Sequence, residues 1–147
     1  MTMTRMSFSW PADFIAQDDG TVLVRFPDLP EALTAGDDTD DAMAEARDCL
    51  RTAIAGRMLD RGEIPVPSPR RRGQRLVSLD PLVAAKAALY LALARSGMTK
   101  VALAARLGCD EKEVRRLLDP RQRSRLDRIV AALYSLGAAL HVRLDAA

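Results

Sequence analysis

The sequence predicts an α+β fold in two parts: a small antiparallel sheet with one helix over 1–80, and an all-helical domain over 81–147 that ends in a short strand. Three observations predict it. Apolar residues alternate with a period of two through much of 7–35, then recur at helical spacing over 38–62. Alternating prolines and a triple arginine interrupt the chain at 64–74, and helical patterns follow Asp80-Pro81. Charge divides at nearly the same place. Residues 1–68 carry 6 Arg, no Lys and 13 Asp+Glu, a net −7, whereas residues 69–147 carry 16 Lys+Arg against 7 Asp+Glu, a net +9.

Each element has its own signal. Residues 7–17, with Phe8 and Trp10 between polar neighbours, read as a strand, and Asp18-Asp19-Gly20 as the turn after it. Residues 21–26 alternate Val22, Val24 and Phe26 against Thr21, Leu23 and Arg25, a second strand that Pro27 and Pro30 stop. A short third strand fits 32–35. Asp38 is placed to cap a helix, with Asp41 three residues on; Met43, Ala46, Leu50, Ala53, Ile54 and Met58 form its apolar stripe, and Gly62 is expected to close it in the left-handed conformation. The prolines of 64–69 impose an extended connection, and 74–79 reads as a last strand returning to the sheet. Beyond it, Leu82, Ala85, Leu89 and Leu93 mark a helix up to Gly97; shorter helices follow at 100–107, 111–118 and 124–137.

The 147 residues are 48% apolar and 29% charged, ordinary globular composition that excludes wholesale disorder. The longest uncharged apolar run, Ala87 to Ala94, falls far short of the roughly 20 residues that span a membrane. The opening residues have no apolar leader, so a cytoplasmic protein is expected. Cys49 and Cys109 make neither a disulfide framework nor a metal site, and no cofactor motif occurs. Parts of opposite charge point to two partners of opposite sign, nucleic acid for the basic part and a basic protein for the acidic one. Two solvated faces that attract each other are the plainer alternative.

Residues 99–118 carry the sharpest pattern. Two helices that cross near a right angle need a small residue at the crossing, a glycine in the turn and apolar anchors inside. Ala104, Gly108, Leu103, Leu107, Val114 and Leu117 meet those needs together. DNA is the partner such a unit serves, its second helix entering the major groove. Arg115 and Arg116 are the candidates for base reading, with Lys112 near the helix start and Glu111 able to accept from cytosine. Thr99 and Lys100 open the first helix, where backbone amides favour phosphate, and Arg121 and Arg123 follow in the next loop. Between Arg95 and Arg128 stand 10 basic and 5 acidic residues, a local +5.

Two resemblances join these readings. Residues 81–144 resemble the helix-turn-helix of the lambda-repressor type through Thr99-Lys100, Leu103-Ala104, Leu107-Gly108, Val114 and Leu117-Leu118. Residues 18–67 are similar to the HicB antitoxin domain through Asp19-Gly20, Phe26-Pro27-Asp28-Leu29-Pro30, Gly36-Asp37, Ala42, Ala46 and Arg61-Gly62-Glu63-Ile64-Pro65. The sequence departs from the family with Glu31 where Gly is frequent, Asp38 where Thr is frequent and Lys100 where Gln is frequent. The resemblance implies a partial ribonuclease-H-like fold for the N-terminal part. It also implies an antitoxin that blocks a HicA-type mRNA-cutting toxin and represses its own operon by binding double-stranded operator DNA. An acidic domain suits a toxin that grips RNA. The toxin contact is expected on Phe26, Pro27, Asp28, Leu29 and Glu31, with Asp18 and Asp19 at the rim; Phe26 as a core residue is the competing reading.

Enzymatic activity is not expected. Asp13, Asp18, Asp28 and Asp48 are conceivable metal ligands of a ribonuclease-H-like site, yet most fall in turns or on an exposed helix face, and the single His, His141, is remote in sequence. A free-standing repressor that senses a small ligand is the alternative function. The last residues, 138–144, put Leu140, Val142 and Leu144 on one face, and a lone strand there would pair with its twin in a homodimer or tetramer.

Overall fold

The alternating segment at the start of the chain forms β1 (Ser9–Ala16), which lies inside a four-stranded antiparallel sheet. The computed structural model describes residues 5–146, and the chain divides into two units, Met1–Asp80 and Pro81–Ala147. In the first, β2 (Val22–Phe26) pairs with β1, β3 (Leu29–Gly36) with β2, and β4 (Arg75–Ser78) with the other edge of β1, giving the order β3-β2-β1-β4. Asp13 stands opposite Arg25, and Trp10 opposite Val77. Gly20, at φ +88°, makes the β1–β2 turn.

Strand β3 starts earlier than its sequence suggests, at Leu29, and includes Pro30. Proline is tolerated because β3 is an edge strand and the β2–β3 register shifts between Arg25 and Phe26, where no ladder donor is required.

Helix α1 (Thr39–Leu59) covers the sheet, packing chiefly on β3. Asp38 caps it by accepting from Asp41 N at 2.8 Å, and Asp41 reaches back to accept from Asp37 N at 2.8 Å. Ala42, Ala46, Leu50, Ile54 and Met58 are its buried face, and Trp10, Val24, Phe26 and Leu29 are buried in the sheet. The helix end differs from expectation. Arg61, not Gly62, takes the left-handed conformation (φ +56°), and Gly62 N donates to Arg57 O at 2.7 Å. A Cβ at Gly62 would meet the Arg57 carbonyl at 3.4 Å, an ordinary contact, so the left-handed position at this helix end falls on Arg61 alone.

The proline-rich stretch is held against the sheet on its way to β4. Trp10 Nε1 donates to Pro65 O at 3.1 Å, and the Asp28 carboxylate accepts from Ser68 N at 2.8 Å and Ser68 Oγ at 2.5 Å.

The second unit holds α2 (Pro81–Ser96), α3 (Lys100–Leu107), α4 (Glu111–Leu118) and α5 (Leu126–Ser135). Its core is Ala85, Leu89 and Leu93 of α2 with Leu103, Ala104, Val114, Leu117, Ile129, Ala132 and Leu133. Helix α5 is two residues shorter at each end than its periodicity suggests, and Gly137 at φ +76° ends that region, with Ala138 N donating to Leu133 O at 2.9 Å. The expected terminal strand is not formed: 138–146 belong to no helix or strand. A strand exists only through a ladder, and among the described residues the second unit has no sheet for it to join.

Candidate functional site

Local chemistry fixes the turn between α3 and α4. Thr99 Oγ1 accepts from Ala102 N at 3.0 Å to cap α3, and Asp110 Oδ1 accepts from Glu113 N at 2.9 Å to cap α4. Between them Gly108 sits at φ +70°, and Cys109 N donates to Ala104 O at 3.0 Å. Leu103, Ala104, Val114 and Leu117 are buried as the spacing requires, and Leu107 is half-buried.

Burying one face of α4 leaves the other cationic. Lys112, Arg115 and Arg116 are exposed and, with Asp119 and Gln122, line a concavity of about 180 Å³. Among the described residues no hydrogen bond or ion pair engages the side chains of Lys100, Lys112, Arg115 or Arg123. Arg116 lies 3.6 Å from Glu113, which also faces Arg128 at 3.9 Å. Arg121 donates through Nε and Nη2 to Asp119, both at 3.0 Å. Those bonds, above all, hold the Asp119 carboxyl well below the usual carboxylate range and push the Arg121 guanidinium up. Thr99 spends its hydroxyl on the cap, and Glu111 is half-buried.

One residue of this site escapes a reading of the sequence. Lys86 of α2 is fully buried, and its Nζ donates to Arg116 O at 2.9 Å, Asp119 O at 2.9 Å and Ser124 Oγ at 2.8 Å. Desolvation pulls its pKa down, against the pull of Asp119 and Glu113. Only its place in a run of apolar residues, between Ala85 and Ala87, hints at burial.

In the first unit the expected partner-binding stretch divides. Phe26 (1% exposed) and Leu29 (0%) are core residues, so neither can anchor a partner; Phe26 fills the sheet–helix interface at the end of its strand, as the competing reading has it. Pro27 is exposed, whereas Asp28 is half-buried and committed to Ser68. Glu31 is bound by Arg57 through two bonds of 2.6 and 2.9 Å, which lower its pKa and raise that of Arg57. Among the described residues Asp18 makes no such bond, and Asp19 accepts from Thr21 at 2.6 and 3.0 Å, which holds its carboxyl low. Beside Glu31, β3 and α1 border an open groove of about 420 Å³ whose wall includes exposed Leu33, Glu45, Asp48 and Asp60. Cys49 lines it too, its thiol pushed up by burial and so poorly suited to react as thiolate.

The carboxylates conceivable as metal ligands are not brought together. Asp13 accepts from Arg25 at 2.9 Å and Gln74 at 3.1 Å, Asp28 from Ser68, and Asp48 from Arg51 at 3.1 Å. Leu140 packs on the core of the second unit, while Val142 and Leu144 are each 89% exposed and His141 is exposed. No helix among the described residues is long and apolar enough to cross a membrane.

Residues 9–88 match the family described as the HicB-like antitoxin of bacterial toxin–antitoxin systems. The chain belongs to that family. It is 33% identical over 136 residues to Antitoxin HicB 1 of Photorhabdus laumondii, covering 92% of this chain and 86% of that protein. Antitoxin HicB 2 of the same organism is 35% identical over 133 residues, covering 90% and 94%. Antitoxin HicB of Escherichia coli K12 is 33% identical over 131 residues, covering 89% and 95%.

Proposed function

We propose that this antitoxin works by binding alone, with its two units on two partners. The acidic first unit blocks a HicA-type, mRNA-cleaving toxin, and the α3–α4 pair acts as a helix-turn-helix that binds operator DNA and represses the antitoxin's own operon in the cytoplasm. The observation that carries this reading is the extent of the similarity: relatives named antitoxin align over about nine-tenths of the chain, through both units. That also favours it over a free-standing, ligand-sensing repressor.

For operator DNA, the supporting features are the cationic outer face of α4 and the unengaged side chains of Lys100, Lys112, Arg115 and Arg123. Arg115 is the first base reader, since Arg116 already faces Glu113. Lys100, Arg121 and Arg123 are assigned to phosphates, Thr99 to a backbone contact through its amide end, and Glu111 to the groove wall. For the toxin, the contact moves from the Phe26–Leu29 stretch to the groove of β3 and α1, where Glu31, Glu45 and Asp48 surround exposed Leu33. Asp18, Asp19 and Pro27 extend the rim. Carboxylates around an apolar centre suit a basic partner, supplying steering and burial together. Pairing of 138–146 with its twin would cover Val142 and Leu144 and give the dimer, or pair of dimers, that a two-half-site operator requires.

The test is direct. Co-expression of the chain with a HicA-type toxin should restore growth, and the purified chain should retard a duplex from its own promoter. Growth arrest that the chain does not relieve would refute the toxin half; a promoter duplex bound no better than random DNA would refute the operator half.

A further inference from the structure

Lysine is costly to bury without partners, because its ammonium loses water's hydrogen bonds and gains nothing for them. Lys86 is 0% exposed, yet all three of its protons are used, on Arg116 O, Asp119 O and Ser124 Oγ. Two of those acceptors are carbonyls at the C-terminal end of α4, where Arg116 O also accepts from Asp119 N at 3.2 Å and Asp119 O from Gln122 N at 3.2 Å, so Lys86 adds a donor to the turn that closes the helix. The positive charge also meets the negative end of that helix dipole. The third acceptor opens the approach to α5. One side chain of α2 therefore ties down both ends of 116–124, the stretch that carries Arg116, Arg121 and Arg123.

We infer that Lys86 is a positioning residue of the DNA-binding site: buried and out of reach of DNA, it holds the end of α4 and the loop after it so that Arg121 and Arg123 meet phosphates while Arg115 reads the groove. The inference rests on the operator-binding reading above. Asp119 serves the same fixture from the other side, since its backbone carbonyl is held by Lys86 while its carboxylate grips Arg121. Lysine suits the post because one tetrahedral ammonium serves three acceptors in different directions, which a thioether of equal length cannot do.

The experiment uses the full chain and a duplex from the promoter immediately upstream of its own gene. Lys86→Met keeps the length and apolar contacts of the stem and removes the three donors. If two phosphate contacts are lost with the loop, the slope of log K against log[salt] becomes shallower by about 2, equivalent to roughly 60-fold weaker binding at 0.1 M salt and little loss near 1 M. A general loss of folded protein would instead weaken binding by the same factor at every salt concentration. In the Lys86→Met background, Arg121→Ala with Arg123→Ala should add almost nothing, because those contacts are already gone. Unchanged affinity and slope in Lys86→Met overturn the inference alone, as does full additivity with the arginine pair. Wild-type chain that shows no preference for the promoter overturns the operator reading itself and the inference with it. Should Lys86→Met fail to fold, Ser124→Ala removes one acceptor at a half-buried position; a shallower slope there supports the inference, and an unchanged slope refutes it.

Discussion

Gly36 ends β3 where the chain enters α1, and it is the place where the first unit should be least tolerant of a methyl group. A Cβ there would lie 2.2 Å from Ala42 N, 2.5 Å from Ala42 Cα and 2.7 Å from Asp41 C, all backbone atoms of the first turn of α1. Ordinary contact requires that turn to retreat by about 1 Å, but Ala42 is fully buried and the Asp38 and Asp41 caps hold the same junction. Overpacking that only backbone movement can relieve lies at the upper end of its usual range, about 3 kcal/mol. That is a large share of the roughly 4–12 kcal/mol expected for 80 residues. Gly56 provides the opposite control: in the same helix, nothing lies within 4 Å of its added Cβ, so Gly56→Ala should stabilise by about 0.5–1 kcal/mol. Trp10, the single tryptophan, is fully buried in this unit, so its fluorescence follows the unfolding of this unit. With a urea m-value near 1 kcal/mol/M, Gly36→Ala should lower the midpoint by about 3 M and Gly56→Ala raise it by about 0.5–1 M. A Gly36→Ala midpoint within 0.5 M of wild type would refute the tight β3–α1 approach.

The remaining expectations concern the two binding faces and the acid range. Operator affinity should fall with salt at a slope of about −4 to −5; Arg115→Ala should cost roughly 1–3 kcal/mol and relax one base preference, while Lys100→Ala weakens all duplexes alike. Normal operator binding by Arg115→Ala, Arg116→Ala and the double variant would show that α4 does not read the groove. Glu45→Lys, which breaks no hydrogen bond or ion pair among the described residues, should slow toxin association at low salt, and an unchanged rate would move the contact off the α1–β3 groove. Because the Asp119 carboxyl is depressed in the folded chain, its contribution is present above the unfolded carboxylate pKa and is lost as pH falls through the folded value. The second unit should therefore weaken on acidification, and Asp119→Asn should flatten that dependence in circular-dichroism melts; an unaltered pH profile would exclude this linkage. Truncation after Gly137 should leave toxin binding intact and give a protein that no longer dimerises through its second unit, as read by sedimentation.

The α3–α4 pair was legible in full because everything that shapes it is local: caps at Thr99 and Asp110, a left-handed Gly108 and anchors three or four residues apart. The same holds for the Asp38 cap and the Gly20 turn. Leu29 was not legible as interior and Phe26 was so only as one of two readings, because alternation tells which residues share a face and not which face is covered; the packing of α1 decides that. The commitments of Asp28 to Ser68 and of Glu31 to Arg57 join residues 40 and 26 positions apart, so no spacing rule announces them. Arg61 and Gly62 exchanged roles because the helix ended one residue earlier than the glycine implied. By itself, then, the sequence determined the fold class, the cationic face of α4 and the family, all carried by short-range patterns. Tertiary structure alone decided which acids remain available, what becomes of a terminal strand with no ladder to join, and that a lysine in the middle of α2 is buried beneath the end of α4, because each depends on atoms brought together from distant parts of the chain.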